Sequence, residues 1–378
     1  MGGWKGRNYM DVSKFPKPHI PQKLPISEIV TSLLADQHFL RSAFQASTSL
    51  STYIGYLANL PNPEILVASL TLQESVLSSR IEGTIATLSD VVNDTGNNQV
   101  IRDDIVEITN YVKAMKYGSD ALKDRDFKFS SFFIRELHAI LMSNNVRGAK
   151  KTPGLYKVEQ NYIANSLLGA FTPLSPELTP EYIENLVEYM NDITEAATLL
   201  QAGIVHAQFE MIHPFQDGNG RIGRLLIPLL LYAKKEIPFP TFYISRYFAL
   251  NDNDYKQCLF NISKTNDKGE LLQAWKTWLE FLFAGVMEES SKHIETSKRI
   301  KALFDEMHSA VKRTDQGEII DYLFQNLRVE AADYAKNSAL PRSTVYNTLK
   351  NLADMGYITR SDNRKAQYVF SKLVDIVE

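Results

Sequence analysis

Apolar residues recur at intervals of three and four over most of the chain, a spacing typical of helices that bury one side. Between residues 26 and 92 this spacing is shown by several groups: Ile29 with Leu33, Leu40 with Phe44, and Leu66 with Leu70 and Val76. Ahead of them, Pro16, Pro18 and Pro21 favour an extended arm over a helix. We therefore predict an arm followed by several packed helices.

The middle of the chain continues the helical pattern with one interruption. Stripes with the same spacing lie at four further places: Ile105 to Val112, Phe133 to Leu141, Ile183 to Met190, and Leu225 to Leu229. Between residues 148 and 176, three prolines and the β-favouring pair Tyr162 and Ile163 break the pattern. This segment is predicted to form a hairpin or flap within a mostly α protein.

The last part of the chain has the pattern of a small separate unit. A charged helix from Glu288 to Met307 suits a connector. Three helical stripes follow, the third from Pro341 to Met355, and two short strands are predicted at Tyr357 to Arg360 and Gln367 to Phe370. Three helices and a two-stranded wing predict a winged helix-turn-helix.

Composition narrows the class of protein without deciding it. The chain has 378 residues, 44% of them hydrophobic and 22% charged, which allows a sizeable core and one or two smaller domains. The single cysteine, Cys258, excludes an internal disulfide and a cysteine-based zinc site. A net charge of -3 gives no reason to expect a polyanion as partner of the whole molecule.

Two features bear on location. The longest apolar run, Leu225 to Ala233, covers about half of the roughly 20 residues that a membrane-spanning helix needs. The first residues lack the apolar stretch of a signal peptide. We expect a cytoplasmic protein without a membrane partner.

The strongest chemical signal is the turn between two apolar helices at residues 212 to 224. Gly218 and Gly220 let backbone N–H groups converge where a helix begins, which favours an anion such as a phosphate chain. Arg221 and Arg224 lie three residues apart on that helix, close enough to share a face and hold phosphate oxygens. The turn is therefore a candidate phosphate site.

Two residues of the turn suggest how such a site would react. Asp217 offers a hard oxygen ligand, which suits Mg²⁺ bridging phosphates better than a transition metal. His213 would lie beside the phosphates, where an imidazole can take the proton of an incoming hydroxyl. His206 and Glu210 share a helix face with His213 at a spacing that could hold a metal, but we favour a role in orienting the turn.

Residues His213 to Arg224 match the signature H-P-F-x-D/E-G-N-G-R-x-x-R and so resemble the Fic family. The resemblance implies transfer of AMP from ATP to a protein, with His213 as catalytic base and Asp217 as Mg²⁺ ligand. It also implies a nucleotide-binding set: Asp217, Gly218, Asn219, Gly220, Arg221, Ile222, Gly223 and Arg224. A related phosphorylating branch has Lys in place of Gly220, so the glycine favours AMP transfer.

A second segment is similar to the inhibitory helix of one Fic subclass, whose pattern is Ser/Thr-x-x-x-Glu-Gly/Asn. Ser78, Glu82 and Gly83 fit this pattern in the region ahead of the core. The resemblance implies that Glu82 forms an ion pair with Arg224, so that ATP is misplaced and the enzyme is autoinhibited at rest.

The interrupted segment resembles the flap that holds target backbone in this family. The residues that carry this resemblance are Gly154, Tyr156, Gln160, Asn161, Tyr162 and Ile163. Such a flap would bind a target by main-chain hydrogen bonds. Tyr255, after the core helix, resembles a residue that lines the base pocket.

The predicted winged helix offers a rival function. Arg342 and Asn347 on its third helix, with Arg364 and Lys365 in the wing, could contact DNA. However, residues 316–378 contain eight Lys or Arg and eight Asp or Glu, whereas DNA readers are usually basic. This balance favours a structural or protein-binding role over DNA binding.

We expect four parts along the chain: an N-terminal arm and helical region with the inhibitory helix (1–110), a Fic core with one hairpin flap (111–287), a helical connector (288–315) and a winged helix-turn-helix (316–378). The expected reaction is adenylylation of a Ser, Thr or Tyr hydroxyl, on a target protein or on the chain itself, with ATP and Mg²⁺. The alternatives are removal of AMP, use of another nucleotide, or a DNA-binding regulator. A homodimer is expected by analogy with the family.

Overall fold

The computed structural model is mostly helical, which confirms the fold class predicted from apolar spacing. It describes residues 15–60, 62–93, 99–144, 152–165, 169–192, 197–265, 267–311, 314–361 and 367–378. Within these ranges, no helix combines the length and the apolar character that crossing a bilayer requires.

The N-terminal region is an extended arm followed by four helices: α1 (Ser27–Ala35), α2 (Gln37–Ala58), α3 (Val67–Ile81) and α4 (Leu88–Asn93). A 3-10 turn, Pro63–Leu66, leads into α3. The Asp36 side chain accepts hydrogen bonds from the backbone N–H groups of His38 and Phe39, so it caps α2. The arm reaches the middle of the chain, where His19 N donates to Thr172 O at 2.9 Å.

Among the described residues, the central region contains five helices: α5 (Gln99–Ala121), α6 (Ser131–Leu141), α7 (Thr179–Asn191), α8 (Thr198–Ile212) and α9 (Asn219–Ala233). Nearly every residue of α8 and α9 is buried, because these two helices pack together inside the core. Pro228 lies inside α9, and the helix continues beyond it to Ala233. The predicted hairpin lies between α6 and α7, where β1 (Ile163–Asn165) pairs antiparallel with β2 (Gly169–Phe171).

After the core come α10 (Ser245–Leu250), α11 (Asp252–Lys264) and the 43-residue helix α12 (Lys268–Ala310). The stretch from Glu288 to Met307 is the second half of α12, and the helix has no break at residue 287. Its buried stripe continues across that point, since Val286, Ile300 and Leu303 are all buried. The expected connector is therefore continuous with the last core helix.

One predicted stripe of α2 faces solvent instead of packing. Leu40 is 49% exposed and Phe44 is 71% exposed. The buried side of α2 carries a different set, which includes Phe39, Leu50 and Tyr53, and it packs along α12. Spacing identified the helix, but α2 has two apolar stripes, and spacing cannot tell which of them a distant helix covers.

The tail has the helices and strands of a winged helix-turn-helix: α13 (Thr314–Asn326), β3 (Arg328–Glu330), α14 (Ala331–Asn337), α15 (Arg342–Asp354), β4 (Thr359–Arg360), β5 (Gln367–Val369) and α16 (Ser371–Val377). The strands form an antiparallel sheet in the order β3-β5-β4. The sequence analysis did not predict β3 or α16. Arg364 and Lys365 of the predicted wing lie outside the described residues.

The tail packs against the N-terminal helices. Both α13 and α16 contact α3, and α16 also contacts α4. The Gln73 side chain donates to the backbone oxygen of Val377, and the backbone N–H of Ser89 donates to the Glu378 carboxylate at 3.1 Å. The helix predicted to be inhibitory therefore lies between the core and the tail.

Candidate active site

The turn between α8 and α9 is held in one conformation by its own residues. His213 ends α8 in the left-handed region, with φ 49° and ψ 62°, which is uncommon for a residue other than glycine. Gly218, with φ 77°, precedes α9. The Asn219 side chain closes the loop, because it accepts from Phe215 N and donates to Phe215 O, both at 2.8 Å. The N-terminus of α9 is thus placed beside His213.

His213 lies in a pocket that keeps its imidazole neutral. Burial, and then the nearby charge of Lys157, lower the pKa of His213 to about 4, while Glu82 opposes this shift. The Glu210 carboxylate lies 3.7 Å from His213 Nδ1. At neutral pH the ring is therefore free to accept a proton.

Arg224 is buried and faces α3. Its Nε donates to Ser78 Oγ at 2.8 Å, and one terminal nitrogen donates to Ser78 O at 2.9 Å and to Glu82 Oε1 at 2.7 Å. Although burial raises the pKa of Glu82, the charge of Arg224 lowers it below its ordinary value. Gly83 follows with φ 94°. The ion pair expected between Glu82 and Arg224 is present; its inhibitory role stays a prediction.

Gly220 allows this contact to form. A Cβ atom built at Gly220 would overlap Glu82 Oε1 and lie 2.9 Å from a terminal nitrogen of Arg224. Gly223 has a similar role on the other side of α9, where a Cβ would overlap Glu210 and lie 3.3 Å from His206. Glycine at these two positions therefore lets carboxylates approach the helix closely.

Arg221 does not share the surroundings of Arg224. It is buried and forms an ion pair with Glu107 of α5 at 2.5 Å, while the Asp217 carboxylate lies 3.7 Å away. The sequence predicted that both arginines would hold phosphate from one face. In the structure the two guanidinium groups contact different helices, so a phosphate role for Arg221 remains a prediction.

Asp217, the residue expected to bind Mg²⁺, lies in the turn beside Gly218. Its side chain is 34% exposed, and its Oδ1 accepts from Gly218 N at 2.7 Å. Over the part of the chain that the structure describes, no cluster of three His, Cys, Asp or Glu could hold a metal. Mg²⁺ needs only one or two carboxylates when phosphates complete its shell, so Asp217 fits a nucleotide-bound Mg²⁺.

A cavity of about 340 Å³ opens beside the turn. Its polar lining includes Glu82, Glu210, His213 and Arg224, and its apolar lining includes Phe171, Ile163, Leu259 and Phe260. The volume is within the range of small-ligand sites. A ligand with charged groups and an aromatic ring, such as a nucleotide, matches this lining.

Tyr255 lines the same cavity. Its ring stacks on Phe248, with centroids 4.3 Å apart, and its hydroxyl is 2.9 Å from His206 Nε2. His206 therefore binds the tyrosine, in keeping with an orienting role. Contact of Tyr255 with a base remains a prediction.

The residues predicted for the flap fall into two groups. Asn161 Nδ2 donates to Phe215 O at 2.9 Å, Gln160 Nε2 donates to Pro173 O at 3.0 Å, and the Tyr156 ring packs 5.7 Å from the Phe215 ring. These three, like Gly154, make contacts that tie the loop to the rest of the core. Tyr162, which is 38% exposed, and Ile163, which lines the cavity, lie where a target could bind.

His138 is a residue of the site that sequence reasoning missed. Its Nδ1 accepts from Gly154 N at 2.9 Å, and its Nε2 lies 3.0 Å from Asp217 O. The ring stacks on Phe215 with centroids 3.7 Å apart. The available signal was a histidine on the apolar stripe of α6, between Leu137 and Leu141.

Glu74 is a second such residue, and it anchors α3. It is buried and accepts from Tyr111 on α5 and from Ser245 on α10. Burial raises the pKa of Glu74 to about 7. The helix that carries Ser78 and Glu82 is thereby joined to two core helices.

Comparison with known proteins bears on the same segments. Residues 128–231 match the Fic/DOC family, and residues 40–120 match the Fic/DOC family N-terminal region. The chain contains a Fic domain. Its Fic domain contains the turn, the hairpin and α8 and α9, whereas Ser78 and Glu82 lie in the N-terminal region.

Named relatives of this Fic-domain protein include two adenylyltransferases. The protein adenylyltransferase fic-1 of Caenorhabditis elegans is 33% identical over 100 residues, which is 26% of this chain and 18% of that one. A probable protein adenylyltransferase of Aquifex aeolicus is 25% identical over 162 residues, which is 43% of this chain and 48% of that one. The chain thus spans less than half the length of either relative.

Solved structures share the fold. A Fic-domain-containing signaling protein of Bacteroides thetaiotaomicron has a TM-score of 0.56 at 23% identity, with 67% of this chain and 97% of that one covered. A Fic family protein of Desulfovibrio desulfuricans has a TM-score of 0.54 at 20% identity, with 86% and 95% covered. In the tail, residues 322–373 match the sugar-specific transcriptional regulator TrmB family, in agreement with a winged helix.

Proposed function

We propose that this Fic-domain protein transfers AMP from ATP to a Ser, Thr or Tyr hydroxyl of a target protein, or of itself, with His213 as base. The observation that carries the proposal is the cavity in which His213, Arg224 and an apolar surface come together at the start of α9. Two relatives named as adenylyltransferases support the same class of reaction.

The neutral imidazole of His213 would take the proton of the incoming hydroxyl. As that oxygen bonds to the α-phosphorus, the bond from the α-phosphorus to the bridging oxygen breaks, and pyrophosphate leaves with the electron pair. The N-terminus of α9 and Arg224 would stabilise the phosphate charge. Because added negative charge raises the pKa of an imidazole, bound triphosphate would make His213 a stronger base.

Asp217 would hold Mg²⁺ together with the phosphates of ATP. Bound there, Mg²⁺ would neutralise phosphate charge in the transfer. The carbonyl contact of Asp217 with His138 and its bond to Gly218 N keep the carboxylate at the head of the turn.

The proposal includes autoinhibition by Glu82. Arg224 is buried, and three of its hydrogen bonds go to Ser78 and Glu82. A terminal phosphate of ATP would have to compete with the Glu82 carboxylate for this guanidinium. The four-part division of the chain also stays part of the proposal, with α12 crossing from the core region into the connector.

Self-labelling with α-labelled ATP and Mg²⁺ tests the proposal. We expect Glu82→Gly to incorporate at least ten times more label than the wild-type chain, because Arg224 is released. Adding His213→Ala should remove the label, while ATP binding is retained. Glu288→Gly is the matched control, since Glu288 pairs with Arg246 elsewhere and should leave labelling unchanged.

Equal labelling by the wild-type chain and Glu82→Gly would reject autoinhibition by Glu82, the proposed brake. Label in the double variant would reject His213 as base. If ATP binds but no variant is labelled, AMP removal or another donor replaces the proposed reaction. Release of AMP from an adenylylated protein would then be the activity to measure.

DNA binding by the tail is a second candidate function. The exposed side of α15 carries Arg342, Ser343, Asn347 and Lys350, and no carboxylate precedes Asp354 on this helix. Acidic side chains lie elsewhere in the tail, where Glu378 contacts the backbone of Ser89 on α4. The net charge of the tail is therefore zero although the exposed side of α15 is basic. The match to the TrmB family also favours DNA binding.

Fluorescence anisotropy with labelled duplex DNA between 50 and 200 mM salt tests this candidate. We expect weak binding that falls as salt increases, and Lys350→Ala should lower the affinity and reduce the salt dependence by about one counterion. Lys372→Ala is the control, because Lys372 contacts Glu306. Absence of binding at 50 mM salt, or equal loss in both variants, would exclude α15 as a DNA reader.

A further inference from the structure

Lys157, in the loop between α6 and β1, is a buried cation beside the catalytic turn. Its side chain is only 2% exposed, which is rare for lysine unless it is paired. Its Nζ donates to the backbone oxygen of Ile212 at 3.0 Å. No ion pair of Lys157 occurs among the described residues, so the usual structural reason for burying a lysine does not apply.

Two hydrogen bonds from Lys157 lie on either side of His213. The amine binds Ile212 O, and the backbone N–H donates to Pro214 O at 2.8 Å. Between these carbonyls His213 has a left-handed backbone, which is unfavourable for a residue with a side chain. Lys157 therefore helps to hold a conformation that His213 would not favour by itself.

Lys157 is also the cation that acts on His213. The groups that face the imidazole are Glu82 from α3, Glu210 from α8, Asp217 from the turn, and Lys157 from the flap loop. The carboxylates of Glu82 and Asp217 and a backbone hydrogen bond with Glu210 favour the charged ring, whereas the Lys157 amine favours the neutral ring. A neutral donor such as glutamine could replace the hydrogen bond to Ile212 but not this electrostatic effect.

We propose that Lys157 is a positioning residue for His213, which holds the left-handed bend and opposes protonation of the imidazole in the nucleotide-free protein. The catalytic meaning rests on the proposed function of His213. The effect on the ring is a property of the nucleotide-free protein and can be measured without any activity.

NMR titration of the His213 ring is the deciding experiment, with Lys157→Met, Lys157→Gln and Lys157→Arg compared in the Glu82→Gly background. We expect Met and Gln to raise the midpoint of His213 by about one pH unit, because they remove a nearby positive charge. Arginine should keep the midpoint within a few tenths of a unit. The acid limb of the self-labelling rate should move in the same direction in the Met and Gln variants.

An unchanged His213 midpoint in folded Met and Gln variants would overturn the proposal, even if labelling falls, because lost labelling alone fits a structural role. If neither variant folds, the wild-type chain still decides. Burial lowers the pKa of Lys157 to about 7, so the His213 resonance should show a second inflection near that pH. A single inflection would reject the coupling. Failure of AMP transfer with the expected NMR shifts would reject only the proposed reaction.

Discussion

His138 shows how one side chain fixes the chemistry of its neighbours. Because Gly154 N donates to Nδ1, the ring proton must be on Nε2, which donates to the carbonyl of Asp217. The neutral ring thus links the flap loop to the residue proposed to hold Mg²⁺. Burial lowers the pKa of His138 to about 4, which agrees with this single tautomer.

We predict that His138→Phe, which can keep the stacking on Phe215, destabilises the protein by about 1–3 kcal/mol because Gly154 N loses its acceptor. Self-labelling in the Glu82→Gly background should fall as well. Thermal unfolding and the labelling assay measure both effects, and His38→Phe is a control at an exposed histidine.

The same variant tests a pH dependence. The folded pKa of His138 lies below its ordinary value of 6.5, so its contribution to stability is complete above pH 6.5 and is lost as pH falls toward 4. His138→Phe should therefore lose less stability than the wild-type chain between pH 6.5 and 4.5. Parallel loss in the two proteins would contradict the assigned tautomer.

Residue identities in the turn could be read from the sequence, but their partners could not. The spacing from His213 to Arg224 predicted one site, and the structure places His213 and Arg224 at one cavity. The partner of Arg221 is Glu107, which is 114 positions earlier and has no pattern in common with it. Such pairs depend on how α5 packs, which local sequence does not specify.

Among the helices, a regular spacing of apolar residues gave the clearest predictions. Amphipathic helices such as α5 and α7 showed this period, and the sequence predicted a stripe on each of them. Strand β3 has three residues, which are too few to show a reliable alternation of apolar and polar residues. The exposed stripe of α2 is a different kind of error, since the helix is right and only its covered side depends on α12.

At the scale of the whole molecule, the tail is joined to the helix that carries the proposed brake. Gln73 lies on α3, five residues before Ser78 and nine before Glu82. Its side chain contacts Val377 of α16. A helix moves largely as one body, so a displaced tail would alter the position of Glu82. This contact joins residues 304 positions apart, and no sequence pattern indicates it.

We predict that Gln73→Glu raises self-labelling several-fold while Glu82 is still present, because a carboxylate facing the Val377 oxygen repels the tail. Hydrogen exchange around residues 78–83 should increase in the same variant. Gln325→Glu, at an exposed position of α13, is the control. Faster hydrogen exchange without more labelling would show that the contact between Gln73 and the tail does not control inhibition by Glu82.

The length of helix α12 sets both the distance of the tail along the helix axis and the orientation of the tail around that axis. Forty-three residues of continuous helix span about 64 Å, and each residue added or removed turns the rest of the chain by about 100° around the helix axis. One extra residue between positions 288 and 307 would therefore rotate the tail away from α3, together with the buried residues of α12 that follow the insertion. The number of residues in α12 therefore sets the angle at which the tail meets the N-terminal helices.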